Sequence, residues 1–182
     1  FRRVLFRSIK MVTEKPGLLP SRTVSGTFLI NAPTTLPIVS VSANACDMFD
    51  LNPSCIGAYD NAEGWTIDNP EIPVSVEYFT ADHVQRFNKN VKFEVVGNSS
   101  IPYYPQHSLQ FTVDEDFGDV TEFNYNIFEY SKPLDSINSF RLRNNYDWGE
   151  SQTRLHDAVI NELTIPTHNI APSFQNVVSY IN

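Results

Sequence analysis

The sequence predicts an α+β fold: a mostly antiparallel sheet with one main helix. Three observations lead there. Several segments alternate apolar and polar residues with a period of two, the pattern of strands with one buried face. One later segment instead spaces its apolar residues for a helix. Between them, Pro, Gly and Asn cut the chain into short elements joined by polar loops.

Taken in order, residues 9–25 carry no clear period and read as a connector. Gly26–Asn31 and Pro37–Ser42 are predicted as short strands separated by the Pro/Thr-rich Ala32–Leu36. Cys46–Pro70 reads as a long polar loop anchored by Met48, Phe49, Tyr59 and Trp65. Alternation then marks Val74/Val76/Tyr78, Val91/Phe93/Val95, Leu109/Phe111/Val113, Phe123/Tyr125/Ile127 and Phe140/Leu142. Leu155, Ala158, Val159 and Leu163 fall on one face of a helix, with Asp147 and Glu150 as a capping box and Pro166 as its stop. A last strand, Asn176–Ile181, runs to the carboxy terminus without a turn, so the chain is expected to stop inside an element.

Composition narrows the function classes. With 182 residues, 41% of them apolar, the chain can build one core of ordinary size. No stretch has the roughly 18 consecutive apolar residues of a membrane span. Charge is segregated: six of the 13 basic residues lie in the first 22 positions beside a single acid, Glu14. From Thr23 onward 7 basic residues face 20 acidic ones, a net of −13. Such a body repels phosphate backbones and argues against a nucleic-acid partner. Phe1–Ser8 (FRRVLFRS) lacks an apolar core and a cleavage site, so it is no signal peptide. It resembles a translated sequencing-adapter remnant from a metagenomic reading frame, and residues 1–8 are set aside from the fold.

Cys46 and Cys55 lie nine residues apart in the polar loop, with no C-x-x-C and no His pair at metal spacing. A redox or zinc pair is one reading; a loop-closing disulfide, and with it an oxidising compartment, is the favoured one. Asp114-Glu115-Asp116 with Asp119 lacks the spacing of a calcium loop and reads as a solvated acidic turn. The most suggestive stretch runs from Val95 to Phe111: strand, small-residue loop, strand. Gly97 permits close backbone approach, and Asn98, Ser99 and Ser100 add small polar groups that could face a phosphate. A decorated hairpin turn explains the same residues; Tyr103 and Tyr104 beside it could stack on an adenine or a sugar, and packing beneath the hairpin is the favoured reading.

Read together, these segments resemble the spore-coat CotH kinase family, a branch of the protein-kinase-like fold. Leu36–Ser40 is similar to its opening strand, and Asp47–Asp50 with Ile56–Tyr59 to its turn and "Gly-Ile-Tyr" passage. Pro73–Phe79 (PVSVEYF) is similar to its "P-V-x-V-E-Y-F" strand. Gly97–Ser100 with Pro105–Leu109 resembles "G-x-S … P-[KQ]-K-S". Ser139–Asn144, Asp147-Trp148 and His156–Ala158 resemble "F-x-x-L-R-N … N-D-W … R-D-A", and Asn176–Asn182 resembles the strand before its "N-G-x-Y-W-G" turn. The likeness covers residues 24–182 in unbroken order.

The resemblance implies a kinase-type amino-terminal lobe over residues 33–182, incomplete at its carboxy-terminal end, with residues 9–32 as the end of a preceding region. It implies a secreted, extracellular or cell-surface protein that uses ATP and Mg²⁺ to phosphorylate Ser/Thr of a protein substrate. Gly97, Asn98, Ser99, Ser100 and His107 would face the nucleotide, and the catalytic residues would lie in a carboxy-terminal lobe outside this chain. Two departures weaken the grip on phosphate: His107 stands where the family carries Lys, and His156 replaces the Arg of "R-D-A", although Arg154 is close by. Glu162 is the candidate for a kinase-type Lys–Glu pair, but position 107 offers no Lys. The competing reading is a non-catalytic extracellular binding module or pseudokinase on the same scaffold.

Overall fold

The computed structural model describes residues 5–64, 69–97, 100–118, 121–128, 136–144, 156–167 and 172–182. Two sheets organise the chain. Strands β1 (Leu5–Met11) and β2 (Val24–Ile30) form an antiparallel hairpin. Strands β3 (Ile38–Ser42), β4 (Ile72–Phe79), β5 (Gln85–Val96), β6 (Ser108–Thr112), β7 (Ser139–Leu142) and β8 (Val178–Ile181) form a six-stranded sheet in the order β7-β6-β5-β4-β3-β8. All its pairings are antiparallel except β8 with β3. Among the described residues, three helices, α1 (Ala45–Met48), α2 (Ser100–Tyr103) and α3 (His156–Thr164), complete the α+β fold.

The period-two segments put their apolar residues on one face, as alternation requires. Val74, Val76, Tyr78, Val91, Phe93, Val95, Leu109, Phe111 and Phe140 are all buried there. Phe111 lies 5.8 Å from Phe93 and 5.1 Å from Phe140, ring centre to ring centre, and Phe123 caps the stack 5.2 Å from Phe140. Met48, Ala58 and Ile101 close the same core from the loops.

Three expectations need correction. Residues 5–11, read as set-aside or connector, form β1 and pair along their whole length with β2. Phe123, Tyr125 and Ile127 do pack on the core, but they form no strand, only a single bridge from Phe123 to Ile137. The side chain of Asn126 accepts a hydrogen bond from the Phe128 N–H (3.0 Å), and this local turn replaces the ladder. The helix also fails to bury the predicted stripe: Ala158 is buried, whereas Val159 and Leu163 are exposed. Pro166 sits in a 3₁₀ turn at its end, as predicted. The Asp147/Glu150 cap, Leu155, Trp148 and Trp65 lie outside the described residues.

The other face of β3–β5 is polar. Ser40 stands opposite Glu77 and Ser42 opposite Ser75 in the β3–β4 register, with Asn88 and Asn90 alongside on β5. Here the hairpin docks by hydrogen bonds rather than by apolar contact. Ser25 donates to Ser75 (2.5 Å), Asn88 to the Ser25 carbonyl (2.6 Å) and Asn90 to the Thr23 carbonyl (3.0 Å). Glu77, 1% exposed, accepts from the Thr27 N–H (3.0 Å), the Thr27 hydroxyl (3.1 Å) and the Gln85 amide (3.0 Å). Those donors offset the cost of burying a carboxylate.

Candidate functional site

The β5–β6 connection carries the predicted phosphate-facing residues. β5 ends at Val96, and Gly97 turns the chain with φ +128°, a conformation that a side-chain-bearing residue rarely adopts. Asn98 and Ser99 lie outside the described residues. Ser100 opens α2, which is pinned by Ile101, 5% exposed in the core. The next residues are held from two sides. The Tyr59 hydroxyl donates to the Pro105 carbonyl (3.2 Å) and accepts from the His107 N–H (3.1 Å). Asn144 donates to the Gln106 carbonyl (2.6 Å), while its own N–H donates to the Ser108 hydroxyl (3.2 Å). The turn therefore sits on a rigid frame: core below, Tyr59 on one flank, Asn144 on the other.

Tyr59 is itself placed by the disulfide loop. The structure joins Cys46 to Cys55, with Cα atoms 4.7 Å apart. Just ahead of the closed loop, Asn44 caps α1 by accepting from the Cys46 N–H (2.9 Å). After it, Ala58 N–H and Tyr59 N–H donate to the Asp47 and Met48 carbonyls (2.8 Å each). These bonds aim the Tyr59 ring at His107, 4.8 Å away between ring centres. The sequence marks Tyr59 as a packing anchor and as the end of the Ile56–Tyr59 passage; its bridging hydroxyl has no signal in a single sequence, because its two partners lie 46 and 48 residues downstream.

His107 has a buried Nδ1 with no hydrogen-bond partner among the described residues. Burial lowers its pKa, and the nearby Asp60 carboxylate only partly counters this. The imidazole is accordingly neutral at physiological pH, a poor substitute for a lysine cation. Tyr103, expected to pack beneath the hairpin, is instead 74% exposed and presents a free aromatic face beside the turn.

The remaining candidates do not join this site. Glu162 lies exposed on α3, and the side chain of His156, Arg154 and His168 fall outside what is described. His83 sits at the β4–β5 turn with φ +63°, its Nε2 3.3 Å from the Thr34 carbonyl. In the acidic turn, Asp114 spends its carboxylate on the Asp116 N–H (2.9 Å). No group of three or more His, Cys, Asp or Glu side chains suited to a metal occurs among the described residues. No helix among the described residues is long and apolar enough to cross a membrane. A cleft of about 690 Å³ with a mixed polar and apolar lining opens between one end of the hairpin and the sheet, lined in part by Lys10, Ser42, Asp47 and Asp116, far along the sequence from the Gly97 turn.

No protein-family model, curated protein or solved structure matches this chain.

Proposed function

We propose that this chain is a nucleotide-binding lobe of a CotH-like kinase, with the Gly97–His107 segment facing the ATP phosphates. One observation carries the reading. A glycine turn at the end of a core strand is held rigid by Ile101, Tyr59 and Asn144, and is flanked by an exposed aromatic, Tyr103. Preorganised backbone of this kind contacts phosphate without paying for reorganisation, and an exposed ring offers a base a stacking face. The neutral, partnerless Nδ1 of His107 can accept or donate one hydrogen bond there, according to its tautomer.

The residues present fit a phosphate contact better than a Mg²⁺ site, since no described carboxylate cluster would hold the metal. ATP supplies the transferable phosphoryl group, and the metal with a catalytic carboxylate would activate transfer to a protein Ser/Thr hydroxyl. This chain's own part is to orient and enclose the phosphates. The Cys46–Cys55 bridge supports an oxidising, extracellular setting.

Calorimetric titration with MgATP tests the reading. Wild-type chain binds weakly, His107→Lys binds about fivefold more tightly, as a partly exposed ion pair adds roughly 1 kcal/mol, and Gly97→Val abolishes binding. Absence of binding in both wild type and His107→Lys would refute it. The second reading, a binding module that no longer uses nucleotide, draws on the neutral state of His107 and predicts that outcome.

A further inference from the structure

The hairpin is patterned inside out. Its inward positions are Ser8, Ser25 and Thr27, which hydrogen-bond to one another and to the polar face of the sheet. Its outward positions follow from the register: Ile9 opposite Gly26, Met11 opposite Val24, and Phe28 and Ile30 further along β2. Ile9 is 52% exposed, Met11 63%, Val24 60% and Phe28 54%. Val12, Leu18 and Leu19 in the connecting loop are exposed too. Arg7, opposite Phe28, is the one charged residue on this outer face among the described side chains. Period-two apolar residues belong against another apolar layer, and a two-stranded sheet is marginal without one.

We infer that this face is closed by a second copy of the same chain, hairpin on hairpin about a two-fold axis. Two features favour a copy over another occupant. The first is area: the five outward apolar side chains expose roughly 100 Å² each, about 500 Å² per partner and about 1,000 Å² across the pair, the size at which a specific interface begins. The second is self-complementarity. Gly26 lies between Val24 and Phe28 in the middle of the face, and the space above its Cα is open. A two-fold axis midway between Gly26 and Phe28 brings the partner's Phe28 ring into the hollow while Phe28 here fills the partner's. Two twisted hairpins stack face to face at about 10 Å in this way. Inward hydrogen bonds to Glu77, Ser75 and Asn88 keep the hairpin from rotating to hide its apolar side against its own sheet.

Sedimentation of the full chain across a concentration series, with three variants, tests this. Wild type is expected to be a dimer. The double variant Met11→Thr/Phe28→Ser is expected to be a folded monomer, its dissociation constant raised at least about thirtyfold by loss of a central aromatic contact. Leu163→Ser, on the exposed face of α3, should leave the dimer intact. Gly26→Val finds open space in the single chain but fills the hollow that takes the partner's Phe28, so it should also raise the dissociation constant, which gives a readout even if the double variant fails to fold. A wild type that stays monomeric overturns the inference; so does a dimer that survives in the double variant or dissociates with Leu163→Ser. A monomer that instead sediments with vesicles of anionic phospholipid would assign the face, with neighbouring Lys10, Lys15 and Arg22, to a membrane surface.

Discussion

Replacing Glu77 by Ala should release the hairpin from the sheet. The carboxylate is 1% exposed and accepts three hydrogen bonds from Thr27 and Gln85. Gln85 lies at an exposed position and recovers water. The Thr27 hydroxyl keeps Ser40 (2.7 Å) and Ser8 (3.1 Å). What cannot be replaced is the acceptor for the half-buried Thr27 N–H, worth about 1–3 kcal/mol, and the volume vacated behind it. The loss should total about 3 kcal/mol by urea denaturation. Glu77→Gln, which keeps the shape and one acceptor oxygen, should lose about half as much. Hydrogen exchange localises the effect: the Thr27 and neighbouring β2 amides should lose protection in Glu77→Ala while Val76 and Phe93 keep theirs. If Glu77→Ala lies within about 1 kcal/mol of wild type, or Thr27 exchange is unchanged, the buried polar layer does not hold the hairpin.

Other outcomes follow from the same structure. Phe111→Ala removes the centre of the aromatic stack and should cost about 3–5 kcal/mol of stability in denaturant unfolding, against little effect from Tyr103→Ala. Reduction of Cys46–Cys55 should cost about 2.5 kcal/mol by loop-closure entropy, and a reduced protein as stable as the oxidised one would contradict the pairing. The depressed pKa of His107 has a defined sign: folding disfavours its proton, so the unfolded chain binds more protons below the ordinary histidine value. Stability should therefore fall as pH drops from about 6.5 toward the lower folded-state value, then level off. His107→Gln should lack that slope in melting curves taken across the range, and an upward-shifted His107 titration by NMR would contradict it.

The main sheet was legible because its core face obeys strict alternation: Val74, Val76 and Tyr78, or Val91, Phe93 and Val95, are all buried as their spacing requires. The disulfide was legible too, from two cysteines in one loop. Of the hairpin only β2 was legible, as the strand read over Gly26–Asn31. The hairpin's inward residues are serine and threonine and its outward ones apolar, so the usual assignment of polar residues to solvent reads β1 as patternless. Asn126 similarly hid a turn inside an apparent strand. At the candidate site, Gly97 could be named from the strand–loop–strand pattern and His107 from the family resemblance, but the clamp formed by Tyr59 and Asn144 depends on partners far apart in the chain.

The most direct test is amide chemical-shift mapping of the labelled chain during addition of MgATP. A nucleotide-facing turn predicts saturable shifts concentrated at Gly97, Ser100, Tyr103 and His107, with Tyr59 responding through its hydroxyl bridge. Shifts confined to the hairpin or the Lys10–Asp47 cleft, or none at all at saturating nucleotide, would contradict it.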